Sequence, residues 1–397
     1  MDAAAFPSHG VHMQRHLAVA VSLLVPFQLT AAEPAPAPAP AQAAFTCTEG
    51  EVLAGNPLNK NPADRPTEGL GIKQDPPLPW RGILVKDKLL YATAVQDLWV
   101  TDMAAAAPVL KRVAGQEQKG QQLITGPCKS ARFANIFGIT MLSDGSLVGA
   151  DQTANAIIKI TGPATEKCSV SVLAGTEKDH PTVSPGSPPN QGDVDGPGAK
   201  ARFRLPLWPA TLNDTVYFID GGNRKLKAVA NDAAHTVTTV AKLPEVTYHG
   251  LVPLQGKLYL LASDTMSNGL LLEISVDGKI VELVKGRTDK WGGASGSSIA
   301  ISGITTDGKG LIVMNAGVVN YVTVDGKVTQ VAGTGHYFGG YKGNYDPTKP
   351  HKASELQLIT MRRDLTAGTS VFLAYSDGAL YVSALASNAH VLKIACQ

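Results

Sequence analysis

Asp151, Asp220 and Asp264 each close an apolar run of strand length, while Arg81, Trp208 and His249 each stand near the start of one. Three carboxylates and an imidazole are groups that a hard divalent cation can take, the oxygens as main donors and the nitrogen as an extra one. An arginine beside an indole suits a different task. It can grip a carboxylate or phosphate bidentately while the ring stacks on an apolar or sugar-like face. A Gly-rich stretch from Gly333 to Pro350 adds Tyr337, Phe338, Tyr341 and Tyr345, with His336 inside it and His351 just after. Gly gives such a segment freedom and Tyr gives rigid amphipathic contact area, a pairing common on recognition surfaces. Each residue also has an ordinary structural use. An Asp at a strand end ties its own turn, aromatic rings fill cores, and a lone His is often a hydrogen-bonded structural group.

The familiar catalytic signatures are missing. Gly293-Ala294-Ser295-Gly296 lacks the spacing of a nucleophile elbow. The sequence has no P-loop, no H-E-x-x-H and no C-x-x-C. A net charge of +2 and the lack of any Lys/Arg run give no electrostatic footprint for nucleic acid.

Internal repetition supplies the frame for these residues. A β-branched run ending in Ala-Gly or a variant occurs six times, at Val52-Leu53-Ala54-Gly55, Val113-Ala114-Gly115, Val172-Leu173-Ala174-Gly175, Val240-Ala241-Lys242, Val284-Lys285-Gly286 and Val331-Ala332-Gly333. Six hairpin patterns alternate with them, turning at Asp87-Lys88, Asp144-Gly145, Asn213-Asp214, Gln255-Gly256, Asp307-Gly308 and Asp377-Gly378. The last lies between Val371-Phe372-Leu373 and Leu380-Tyr381-Val382. Such dipeptides favour tight hairpins, and each repeat spans about 45–70 residues, the range in which propeller blades fall. The first Ala-Gly phrase precedes every hairpin and the last hairpin has none after it. A closed ring resolves the mismatch. The pattern predicts an all-β, six-bladed β-propeller over 45–397, with an N-terminal strand near Phe45–Leu53 completing the last blade.

Two segments align within the chain: Gly126-Pro127-Cys128-Lys129-Ser130-Ala131-Arg132-Phe133 and Gly196-Pro197-Gly198-Ala199-Lys200-Ala201-Arg202-Phe203. The second, preceded by Asp195, resembles the D-G-x-G-x-x-A-x-F segment of NHL-repeat β-propellers. Asp151 with Asn155, and Asp220 with Asn223-Arg224, are similar to the strand-turn-strand core of that repeat. The resemblance implies that Asp151 and Asp220 tie their own turns and that Arg132, Phe133, Arg202 and Phe203 pack between blades. It also implies a fold shared by binding modules, sensors and lyases.

In a four-stranded antiparallel blade, residues entering the innermost strand and residues leaving the second meet at the mouth of the central channel. The first ring reads Arg81, Phe137, Trp208, His249, Ser302 and Ser370; the second includes Asp151, Asp220, Asp264 and Asn315. The candidate ligand-binding residues are therefore Arg81, Trp208, His249, Asp151, Asp220 and Asp264, with Tyr337 and Tyr341 from the connector on the same face. The favoured function is a binding module for a protein or a small polar ligand, acting as a monomer. The alternative is a metal-dependent lyase or lactonase-like hydrolase, resembling the gluconolactonase-type and peptidylglycine-lyase propellers, with a divalent cation at the mouth.

The N-terminus reads as an export signal. Arg15 and His16 precede the apolar stretch Leu17–Leu29, and Thr30-Ala31-Ala32 offers small residues for cleavage. This assigns 1–32 to a signal peptide and 33–44, an Ala-Pro alternation, to an extended linker. The apolar stretch is short for a membrane span and Pro26 interrupts it, so no stable span is expected after cleavage; an uncleaved anchor is the alternative. A secreted or periplasmic location suits an even cysteine count. Ring closure brings Cys47 to Cys396, which leaves Cys128 with Cys168 by elimination, although the repeat places that pair toward opposite edges of blade two.

Overall fold

Short apolar runs broken by turn pairs fold here as short antiparallel strands. The structure is a computed structural model that describes residues 44–54, 70–71, 80–106, 108–115, 122–175, 191–266, 268–292, 301–315, 317–335, 342–358, 371–384 and 390–397. The expected signal peptide and linker lie outside the described residues, apart from Ala44.

Six sheets form the blades of a β-propeller, their strands running from inside to outside in chain order. Blade one comprises Gly82–Lys86, Leu89–Ala94, Asp97–Asp102 and Val109–Gly115. Blade two comprises Ile136–Met141, Leu147–Asp151, Ala156–Thr161 and Ser169–Ala174. Blade three comprises Pro206–Leu212, Thr215–Asp220, Lys225–Val229 and Val237–Lys242. Blade four comprises Thr247–Leu254, Lys257–Ser263, Gly269–Ile274 and Ile280–Gly286, and blade five Ile301–Thr306, Leu311–Asn315, Val318–Val322 and Val328–Ala332. Blade six takes Leu373–Ser376, Ala379–Ala384 and His390–Cys396 from the C-terminus and Cys47–Ala54 from the N-terminus. Each innermost strand packs on the next around the ring, including blade six on blade one.

Every blade is covered on both faces, which explains why its strands are almost continuously apolar. In blade three, Val216 and Phe218 join the core shared with blade two, while Tyr217 and Ile219 join the core that runs into the channel. Phe133 and Phe203 fill successive inter-blade cores. Both residues of the Asp87-Lys88, Asn213-Asp214, Gln255-Gly256 and Asp377-Gly378 turns have positive φ, between 50° and 76°. Two successive left-handed residues match the twist of a tight hairpin.

Closure follows the predicted register. Cys47 pairs with Cys396, Gly50 with Ile394 and Val52 with Leu392, and a disulfide joins the first pair. The second disulfide links Cys128 to Cys168. The repeat alone places these at opposite edges of blade two, but Gly126–Pro127 adds a fifth strand outside Ser169–Ala174 and carries Cys128 there. Among the described residues the longest α-helix is Thr288–Trp291, and none is long and apolar enough to cross a membrane.

Candidate functional site

The innermost strands reach the channel mouth through bulges. In blade three, Leu207 opposes Ile219 and Ala210 opposes Tyr217, so two residues lie where the ladder has room for one. Trp208 occupies this bulge at φ 54°, a left-handed conformation that is strained for a bulky side chain. Its indole Nε1 donates to the Tyr248 carbonyl oxygen at 3.3 Å. Similar irregularities precede Ile139, Gly250 and Gly303. Gly82 and Gly138 allow the strands to converge. A Cβ on Gly82 would lie 3.2 Å from the Gly138 Cα, and one on Gly138 would lie 2.9 Å from the Pro209 ring.

Three rings meet on the channel axis. Phe137 lies edge-on to Trp208 at 5.1 Å and to Phe372 at 5.7 Å, while Trp208 and Phe372 are 4.9 Å apart. Trp208 and Phe372 are buried and Phe137 is half-buried. Together they close the channel and leave one aromatic surface accessible. Arg81 stands at this surface, its guanidinium 5.4 Å from the Phe137 ring centre. Its backbone is pinned between blades, donating to Thr93 and accepting from Gly138, both at 2.6 Å. The side chain is half-buried, Nε lacks a hydrogen-bond partner among the described residues, and burial lowers the pKa of the group. No ion pair engages it among the described residues.

The other predicted residues have different surroundings. Asp151 is buried and accepts backbone N–H groups from Ala134, Asn135 and Ala154 at 2.8–3.0 Å. It thus ties its turn and also the connector leading into blade two. Asp220 is buried, accepting from the Arg204 backbone and the Asn223 side chain, with the Lys227 ammonium 3.9 Å away. Desolvation outweighs these partners and pushes its carboxyl up to about 6. Asp264 caps its own turn, accepting from the backbones of Met266 and Asn268 and from the Asn268 side chain, whose bond leads in lowering its pKa. His249 is only 8% exposed; its Nε2 lies 2.8 Å from the Ser263 Oγ, and burial pushes it down to about 4. Tyr337, Tyr341 and Ser370 lie outside the described residues.

Two features escape the sequence reading. Phe372, read as one residue of a hairpin strand, supplies the third ring of the plug. Lys227 is fully buried on blade three, bonded to Asp195 at 2.5 Å and Asp193 at 3.0 Å. Its signal was a lysine in an apolar strand two residues from Lys225, opposite the Asp193-Val194-Asp195 connector. Burial alone would raise both aspartates, but bonds from Lys225 and Lys227 hold Asp193, and bonds from Lys227 and Thr239 hold Asp195, below the ordinary range.

As sources of a metal site, the mouth carboxylates fit poorly, because the lone pairs of Asp151 and Asp220 already serve backbone and amide donors. Among the described residues no three His, Cys, Asp or Glu side chains group as metal ligands. A cleft of about 540 Å³ lies elsewhere, between blades one and two on the side of the turns joining third to fourth strands.

No protein-family profile matches the chain, and no curated protein matches it in sequence. Solved structures resemble it in fold. A protein of unknown function from Bacteroides thetaiotaomicron aligns with TM-score 0.54 at 13% identity, covering 89% of this chain and 76% of that one. Virginiamycin B lyase from Staphylococcus aureus aligns with TM-score 0.46 at 12% identity, covering 83% and 98%. A putative gluconolactonase aligns with TM-score 0.48 at 13% identity, covering 87% and 98%. The likeness is one of propeller architecture, on which different functions reside.

Proposed function

We propose that this protein is an exported NHL-repeat propeller that binds a polar ligand bearing an anionic group at its channel mouth, the ligand being a small molecule or part of a partner protein. The observation that carries the reading is Arg81. Its guanidinium is half-buried over the Phe137 ring and has no ion pair among the described residues. A partly desolvated cation loses hydration that an anionic ligand restores, and guanidinium geometry suits a carboxylate or phosphate. Phe137 offers an accessible face beside it, and Trp208 and Phe372 hold that ring in place. The carboxylates engaged in turns and connectors support binding over a cation-centred reaction.

The NHL assignment rests on the paired Gly-Pro…Ala-Arg-Phe segments and the Asp-tied turns after the second strands. Export rests on the signal-like N-terminus together with two disulfides, which persist in oxidising compartments. Thermal-shift titration with benzoate, phenyl phosphate and glucuronate tests the site. At least one should stabilise the protein and fail to stabilise Arg81→Gln. Absence of a shift with all three would overturn the reading.

A further inference from the structure

The cleft between blades one and two encloses about 540 Å³. Small-molecule sites commonly span roughly 300–1,000 Å³. Leu89, Val100 and Val109 form one wall, and Pro163 with the Cys128–Cys168 disulfide forms the other. The apolar walls follow from the strands. Val100 pairs with Lys111, and Val109 shares the strand face of Lys111, so an aliphatic surface ends at an ammonium group.

The charges around the cleft are unequal in their freedom. Arg112 is 3.8 Å from Asp97 and lies over Trp99. Lys129 faces Glu166 at 3.4 Å. Asp102 accepts the Ala104 backbone N–H of its own turn. Lys111 is exposed and forms no ion pair among the described residues. The rim therefore presents one uncommitted positive charge above an apolar wall that is half-buried at Leu89 and Val109 and buried at Val100. That combination is complementary to an anionic head on an apolar body, which would bury hydrocarbon against the valines while the head meets Lys111.

We propose that this cleft is a second ligand site, distinct from the channel mouth, which takes an amphipathic monocarboxylate. The site lies on the opposite face of the propeller from Arg81 and does not depend on the reading of the mouth.

Dodecanoate below its micellar concentration is the probe, titrated calorimetrically into the full chain, with dodecylamine as the opposite-charge control. Saturable binding of dodecanoate is expected, with dodecylamine at least tenfold weaker. Lys111→Glu, a change on an exposed side chain, should weaken dodecanoate at least tenfold. Val109→Phe should do the same by filling the wall, and an unchanged unfolding temperature will show that either variant is folded. Arg81→Gln should bind like the parent. No saturable dodecanoate binding, equal binding of the amine, or undiminished binding by Lys111→Glu would overturn the proposal. Loss of dodecanoate binding in Arg81→Gln would also overturn it, by placing the ligand at the mouth.

Discussion

The rings of Trp208 and Phe372 lie 4.9 Å apart although blades three and six stand on opposite sides of the propeller. Contact across the full width of the channel means that the six inner strands are closed by side chains as well as by strand packing. Phe137 completes the plug from blade two.

Truncating the plug should be expensive. Trp208→Ala or Phe372→Ala removes a buried ring and leaves a cavity on the axis, with an expected loss of about 3–5 kcal/mol. Phe137→Ala should lose less stability, because its ring is half-buried, yet should weaken ligand at the mouth. Denaturant unfolding of the three variants checks the order. A smaller loss for Trp208→Ala than for Phe137→Ala would contradict the plug.

Arg81 should behave in the opposite way. Its guanidinium is desolvated and unpaired among the described residues, so Arg81→Gln should leave stability unchanged or slightly higher. The same substitution should reduce affinity for an anionic ligand at least tenfold, on the order of 1.4 kcal/mol or more. Unfolding midpoints and binding isotherms measured together separate a binding residue from a structural one.

The architecture was legible because its signals are local and repeated. Tight-turn dipeptides such as Asn213-Asp214 and two-faced apolar strands such as Val216–Ile219 recur blade after blade. Ring closure was legible from the order of the phrases alone. The site was less so, since it depends on bulges that shift one residue against its neighbour. Such a shift carries Trp208 into the axis, and the sequence pattern gave no reason to single out Phe372 from its strand. His249 was expected at an accessible mouth, but its imidazole is buried against Ser263. The Cys128–Cys168 pairing was obscured by a two-residue outer strand too short to leave a periodic signature.

The two disulfides should differ in weight. Cys47–Cys396 spans 349 residues and Cys128–Cys168 spans 40. In the chain-entropy account the longer loop stabilises more, by about 6 kcal/mol against about 4 for the shorter. Cys47→Ser/Cys396→Ser should therefore be the less stable of the two double variants. It should also free the N-terminal strand of blade six, read as faster amide exchange across Gly50–Val52 and their partners Leu392–Ile394. Equal exchange in both double variants would show that strand pairing closes the ring without help from the disulfide.

Two buried groups should oppose each other as the pH falls. His249 has its pKa pushed down from 6.5 to about 4 by burial, so the folded state holds it neutral while the unfolded chain protonates first. Its contribution is intact above pH 6.5 and is lost as the pH falls toward 4, a change on the order of 3 kcal/mol. Asp220 has the reverse sign. Burial raises it from 3.8 to about 6, so the folded state binds the proton first and gains stability as the pH falls from 6 toward 4. Between pH 4 and 6 the unfolded chain carries one more proton at His249 and one fewer at Asp220. The two slopes therefore cancel in the parent protein over that window. Single substitutions should expose them. Relative to the parent, His249→Gln should become more stable on acidification from pH 6 to 4, whereas Asp220→Asn should become less stable over the same range. Denaturant unfolding at half-unit pH steps measures both differences. If either variant runs parallel to the parent curve, the corresponding group does not titrate in the buried setting described for it.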